Sequence, residues 1–98
     1  MRVVVSHLRL QEPATETLRR AAEEGGRRLV EAGGTSFQLV EVDENHLILV
    51  LFFPDLETEE RISREVGGPW MREHVLPLLA SPPERSAGDA VVAVGHGS

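Results

Sequence analysis

The chain contains no cysteine and no tyrosine, and all ten of its basic residues are arginine, so lysine is missing as well. Without cysteine there is no disulfide, no thiol nucleophile and no cysteine-ligated zinc. Without lysine there is no Schiff-base chemistry. Positive charge is also in short supply: 16 acidic residues against 10 basic ones leave a formal net charge of −6. That balance argues against a surface built to neutralise nucleic-acid phosphates or anionic lipid. The opening Val3-Val4-Val5 run meets His7 and Arg9 too soon for a signal-peptide core or a membrane span. The expected location is cytoplasmic, with neither nucleic acid nor membrane as a partner. Nor is there a glycine-rich phosphate loop, a serine-centred elbow or a dinucleotide fingerprint.

What is present suits one small folded domain spanning residues 1–98: 41% hydrophobic and 27% charged residues. Residues 2–9 alternate loosely and are rich in valine, which predicts a strand with Val3, Val5 and His7 on one face and Val4, Ser6 and Leu8 on the other. Pro13 fits a first helical position, and apolar residues at helical spacing run from Ala14 to Ala32, where Gly33-Gly34 stops the helix. Its other face carries Glu16/Arg20, Glu23/Arg27 and Glu24/Arg28, each acid before base at i,i+4, a solvated face. Gly25-Gly26 inside that helix points to a bend or to close packing against the sheet.

Residues 35–42 and 46–53 read as two strands joined by the polar link Asp43-Glu44-Asn45. Pro54-Asp55 caps a helix over about 56–66, Gly67-Gly68-Pro69 breaks it, and a second segment runs towards Leu79 with Pro77 kinking or ending it. Residues 80–89 are expected to be a loop, and 90–94 the last strand. The terminal Val94-Gly95-His96-Gly97-Ser98 reads as a frayed tail.

The order β-α-β-β-α-β is that of the ferredoxin-like α+β fold, with an antiparallel sheet of order 4-1-3-2 and both helices on one face. Every residue from Leu47 to Phe53 is apolar, so both faces of that strand want burial while the helices cover only one. A second copy of the same sheet is the simplest lid, which predicts a homodimer through the sheet face.

At this point the chain resembles the dimeric α+β barrel superfamily. Gly68-Pro69-Trp70-Met71-Arg72, followed by Val75-Leu76-Pro77-Leu78-Leu79, is similar to the second helix of the antibiotic-biosynthesis-monooxygenase-like family. Val5-Ser6-His7-Leu8 and Asn45-His46-Leu47-Ile48 resemble a second branch, the stress-responsive A/B barrel proteins, whose cyclases carry histidines at those places. The first resemblance implies a monooxygenase needing no cofactor, which holds an aromatic or polyketide-like substrate with Trp, Asn and Tyr. Only Trp70 carries over, because the chain has no tyrosine and its one asparagine, Asn45, falls in the hairpin. His74 is the nearest candidate for the histidine of haem-degrading relatives. The second resemblance implies a cyclase or lyase with His7 and His46 as its acid–base pair, although the third histidine of that branch falls near Met71 here.

Two sets of candidate residues follow. Antiparallel pairing of the first and third strands makes His7 and His46 neighbours, and imidazoles can act as acid or base near neutral pH, for example in enolising a ketone. No third ligand is placed for a metal. Trp70, beside the Gly-Gly-Pro break, can wall a pocket for a small apolar or aromatic ligand, with Met71, Arg72, His74 and Phe52 as further binding candidates. A non-catalytic ligand-binding module satisfies the same pattern.

Overall fold

The structure is a computed structural model, and it describes residues 1–95; the Gly-His-Gly-Ser end of the tail therefore lies largely outside the described residues. Four strands, β1 (Arg2–Arg9), β2 (Ser36–Asp43), β3 (His46–Phe53) and β4 (Glu84–Asp89), form one antiparallel sheet of order β2-β3-β1-β4. Helix α1 (Glu16–Glu31) fills the first crossover. The second contains α2 (Leu56–Ile62), a wide π-helical turn at Ser63–Gly67, α3 (Gly68–His74) and a 3-10 turn at Leu76–Leu78. This is the α+β ferredoxin-like arrangement, with the strand order expected from the sequence.

Strand alternation decides what is core. On β3, Leu47, Leu49, Leu51 and Phe53 are buried under the helices, and the intervening residues are half-buried on the other face. On β1, Val4, Ser6 and Leu8 face the helices, while Val3, Val5 and His7 face away. Leu8, Leu47, Phe53, Ile62 and Val75 lose nearly all contact with solvent and form the centre of the core.

Helix α1 starts later than Pro13. The Ala14 amide donates to the Glu44 carbonyl, which ties the segment to the β2–β3 turn. The helix opens instead at Thr15, whose hydroxyl accepts from the Leu18 amide at 3.2 Å. The three i,i+4 pairs read from the sequence are all present on its exposed face. At Gly67-Gly68-Pro69 the chain does not break. Proline offers no amide for the helical ladder, and the path widens into the π turn, in which the Gly68 amide reaches back to the Ser63 carbonyl, before α3 resumes.

The last strand corrects the sequence reading. Residues 84–89, expected as a loop, pair with β1 from His7–Glu84 to Arg2–Asp89, whereas 90–94, expected as the strand, run past the start of β1. Charged and small residues suffice here because β4 is an edge strand held through its backbone and its ion pairs, not through an apolar face. Arg2 reaches Asp89 at 3.6 Å and Glu59 at 2.9 Å, and Arg85 reaches the other Glu59 oxygen at 3.3 Å. The bond to Glu59 pushes the Arg2 guanidinium above its ordinary pKa.

Asp55 caps α2 by accepting from the Thr58 amide at 2.8 Å. That bond, a contact to the Thr58 side chain and the nearby Arg61 hold its carboxyl below the ordinary carboxylate value. A carboxylate depressed in the folded state stabilises the protein above its unfolded pKa, and the contribution disappears as pH falls through the folded value. Thermal melts should therefore show Asp55→Asn less stable than the parent at neutral pH, with the gap closing below about pH 4. A gap that stayed constant down to pH 2 would contradict this account.

Candidate functional site

Between the helical layer and the sheet lies a cavity of about 390 Å³. Val4, Leu49 and Leu51 supply its floor from β1 and β3, and Leu29 and Gly25 line it from α1. Val66, Trp70 and Met71 close it from the π turn and α3, and Pro83 and Arg85 stand on the β4 side. Among the lining residues, Arg85 is the one charged side chain, joined by the hydroxyls of Ser6 and Ser63.

Trp70 owes its position to α1. Its indole N–H donates to the Ala21 carbonyl at 2.9 Å, and its ring meets Phe37 edge-on with centroids 6.0 Å apart. A Cβ at Gly25 would sit 2.5 Å from the indole nitrogen, and one at Gly26 would sit 2.8 Å from the Phe37 ring. The two glycines mark close packing of α1, Gly26 on Phe37 of the sheet as one of the two explanations had it, and Gly25 on Trp70 of α3 instead. Gly25→Ala should accordingly destabilise the protein even though alanine gains about 1 kcal/mol in helix propensity, and it should change Trp70 fluorescence. A variant more stable than the parent, with an unaltered emission spectrum, would show that the ring moves aside freely.

The sequence-derived candidates separate into two faces. His7 and His46 do meet, diagonally across β1 and β3, with His7 Nδ1 3.0 Å from His46 Nε2, one ring nitrogen donating and the other accepting. Their rings lie 5.2 Å apart, centroid to centroid. They occupy the face opposite the helices, with the whole sheet between them and the cavity, so a molecule held against Trp70 is beyond their reach.

Of the ligand-binding candidates, Trp70 and Met71 line the cavity. Phe52 does not: it pairs with Val3 on the open face, because its parity on β3 is opposite to that of Leu49 and Leu51. Arg72 projects from α3 outside the lining, exposed, and its guanidinium passes close to Gly68. His74 sits behind Trp70, ring centroids 5.8 Å apart, and does not reach the cavity. Among the described residues no three metal-ligating side chains converge, and no helix is long and apolar enough to cross a membrane.

Arg85 went unnoticed in the sequence because Glu84–Asp89 has no strand-like apolar alternation. Its partner Glu59, buried to 4% exposure on α2, gave little more. An acid on the inner face of an otherwise amphipathic helix is the only trace that pointed to it.

Helices on one face of a four-stranded antiparallel sheet, with an apolar cavity between the layers, define an α+β protein of the ferredoxin-like fold. No protein-family model matches the chain and no curated protein matches it in sequence, but solved structures share its fold closely. A Nitrosomonas europaea protein assigned as an antibiotic biosynthesis monooxygenase superposes with a TM-score of 0.80 at 14% identity, covering 94% of this chain and 100% of that one. A variant of SnoaB, a cofactor-independent oxygenase from Streptomyces nogalater, gives 0.79 at 12% identity over 96% of each chain. Rv0793 from Mycobacterium tuberculosis gives 0.75 at 15% identity, covering 95% of this chain and 97% of that one. The chain has the fold of the antibiotic biosynthesis monooxygenase structures, as the Pro-Trp resemblance implied.

Proposed function

We propose that this protein is a homodimer that binds a planar, largely apolar molecule carrying one ionisable oxygen in the helix–sheet cavity, and oxygenates it without a cofactor, as SnoaB's description has it for that protein. The observation that carries this reading is the cavity itself: about 390 Å³, apolar, walled by Trp70 and, among the described residues, lined by one cation, Arg85. That volume falls in the range of small-molecule sites. An oxygenase without a cofactor must take its electrons from the substrate, and a phenolate or enolate gives them up far more readily than the neutral form. The Arg85 guanidinium favours the anion electrostatically. Ser6 and Ser63 add hydroxyls, and among the described residues no carboxylate or imidazole lines the cavity to act as a base, so the suitable substrate is one acidic enough to ionise with water as acceptor.

The homodimer reading is supported by the open sheet face. Val3, Val5, Ile48 and Val50 lie there half-buried, and no element among the described residues covers them. Acid–base chemistry by His7 and His46 finds no support in the cavity geometry, because the pair faces the other way.

Trp70 is the only tryptophan, so its fluorescence reports the cavity directly. Titration with a hydroxynaphthoate should quench it saturably, Arg85→Gln should weaken binding by about tenfold, and an oxygen electrode should record uptake with dihydroxynaphthalenes in the presence of chelator. Lack of saturable quenching at millimolar ligand would overturn the binding reading. Binding without oxygen uptake across a panel of such phenols would overturn the oxygenase reading.

A further inference from the structure

We infer that His7 and His46 form a chelating pair for a late first-row divalent cation, copper(II) foremost and zinc after it, on the sheet face opposite the cavity. The inference does not rest on the oxygenase reading, because the whole sheet separates the pair from Trp70.

The two side chains converge from neighbouring strands. Arg9 is the register partner of His46, and Ile48 that of His7, so the histidines sit on one diagonal of the β1–β3 ladder and share its open face. With His7 Nδ1 3.0 Å from His46 Nε2 and ring centroids 5.2 Å apart, the rings meet edge to edge and these two nitrogens point at each other. Without a metal, one ring proton bridges them. Metal–imidazole bonds of about 2.0–2.1 Å place two nitrogens roughly 2.9 Å apart at a right angle and about 3.3 Å apart at the tetrahedral angle. The observed spacing falls inside that span. A cation seated beside the pair therefore needs a swivel of each ring and transfer of the bridging proton to the outer ring nitrogen, with no shift of the backbone.

Nothing else engages the imidazoles. Among the described residues their mutual contact is the only hydrogen bond of either ring, and neither is ion-paired to a carboxylate, unlike His74, which lies 3.7 Å from Glu73. The pair is half-buried at the rim of the sheet, beside the β2–β3 turn. On the outer strands, exposed Glu84 and Asp43 are the register partners of His7 and His46, and Arg9 faces His46 from β1. Acids outnumber the base around the pair, which favours a cation. No third protein ligand converges among the described residues, so solvent completes the shell. Two imidazoles select ions high in the Irving–Williams order over magnesium or calcium, which take oxygen ligands.

The test is titration of the full chain with copper(II) chloride against glycine as competitor, read by calorimetry and by pulsed electron paramagnetic resonance, which counts coordinated imidazoles. The parent is compared with H7Q, H46Q and H74Q/H96Q, the last of which keeps only the pair among the chain's 4 histidines. Near-UV circular dichroism verifies that each is folded. The expected result is a single equivalent of copper bound at micromolar affinity or better, with two imidazoles in both the parent and H74Q/H96Q. H7Q and H46Q should each show one imidazole and an affinity lower by about 100-fold, since even losing an outer partner of a metal ligand costs up to that much. The imidazole count in H74Q/H96Q leaves the pair intact, so it decides the matter even where H7Q or H46Q does not fold. One imidazole in the parent, or affinity that survives H7Q and H46Q and falls in H74Q/H96Q, would overturn the inference, as would binding no tighter than millimolar. Oxygen uptake is measured in the presence of chelator, so the cavity reading stands or falls separately.

Discussion

Trp70→Ala should lower stability by about 3 kcal/mol, or roughly 12–24 °C in melting temperature for a domain of this size, and should abolish saturable ligand binding. The indole is 7% exposed, donates to Ala21, meets Phe37 edge-on and closes one wall of the cavity. Truncation removes all four contributions together. The cost falls at the lower end for a large buried aromatic because the void opens into an existing cavity, which water can enter. Trp70→Phe separates the roles. It keeps an aromatic wall and loses the N–H bond, so it should cost about 1 kcal/mol and retain ligand binding measurable by calorimetry. A Trp70→Ala protein melting within a few degrees of the parent would show that the ring is a surface cover and not a structural wall.

The second large effect belongs to Glu59. Its side chain is 5% exposed and accepts from Arg2 at 2.9 Å and from Arg85 at 3.3 Å. Breaking a buried ion pair by deleting one partner leaves the other charge uncompensated. Arg2, at 16% side-chain exposure, has little water to turn to, whereas Arg85 at 50% has more. Glu59→Ala should therefore lower the melting temperature by at least about 10 °C, and Glu59→Gln, which keeps an acceptor, by less. Because Glu59 also neutralises Arg85 at the edge of the cavity, both variants should favour anionic ligands relative to neutral ones of the same shape. An equal effect on the two would reduce Glu59 to a purely structural residue.

Much of the architecture is legible in the sequence. The apolar run from Leu47 to Phe53 and the acid-before-base spacing on α1 are local patterns that formed as read, while the Asp43-Glu44-Asn45 link shortened to Glu44-Asn45 because Asp43 pairs with His46 at the end of β2. The strand order followed from the element order. The failures also have physical causes. Pro13 satisfies the rule for a helix start, but a long-range bond from Ala14 to Glu44 overrode it. Residues 90–94 have the better strand composition and 84–89 the better strand partners, and pairing with β1 decided the outcome.

The sequence by itself determined the kind of fold and the meeting of His7 with His46, because hairpin register and antiparallel pairing are properties of the chain order. Only the tertiary structure decided which face of the sheet the helices cover. Val3 and Val5 are as apolar as Val4 and Leu8, and Ile48 and Val50 as apolar as Leu47 and Leu49, so the alternation carried a period but no sign. That missing sign separates the two histidines from Trp70, places Phe52 outside the cavity and brings Arg85 and Glu59 to its edge. These outcomes depend on how separate elements dock, and docking is set by contacts between residues far apart in the chain.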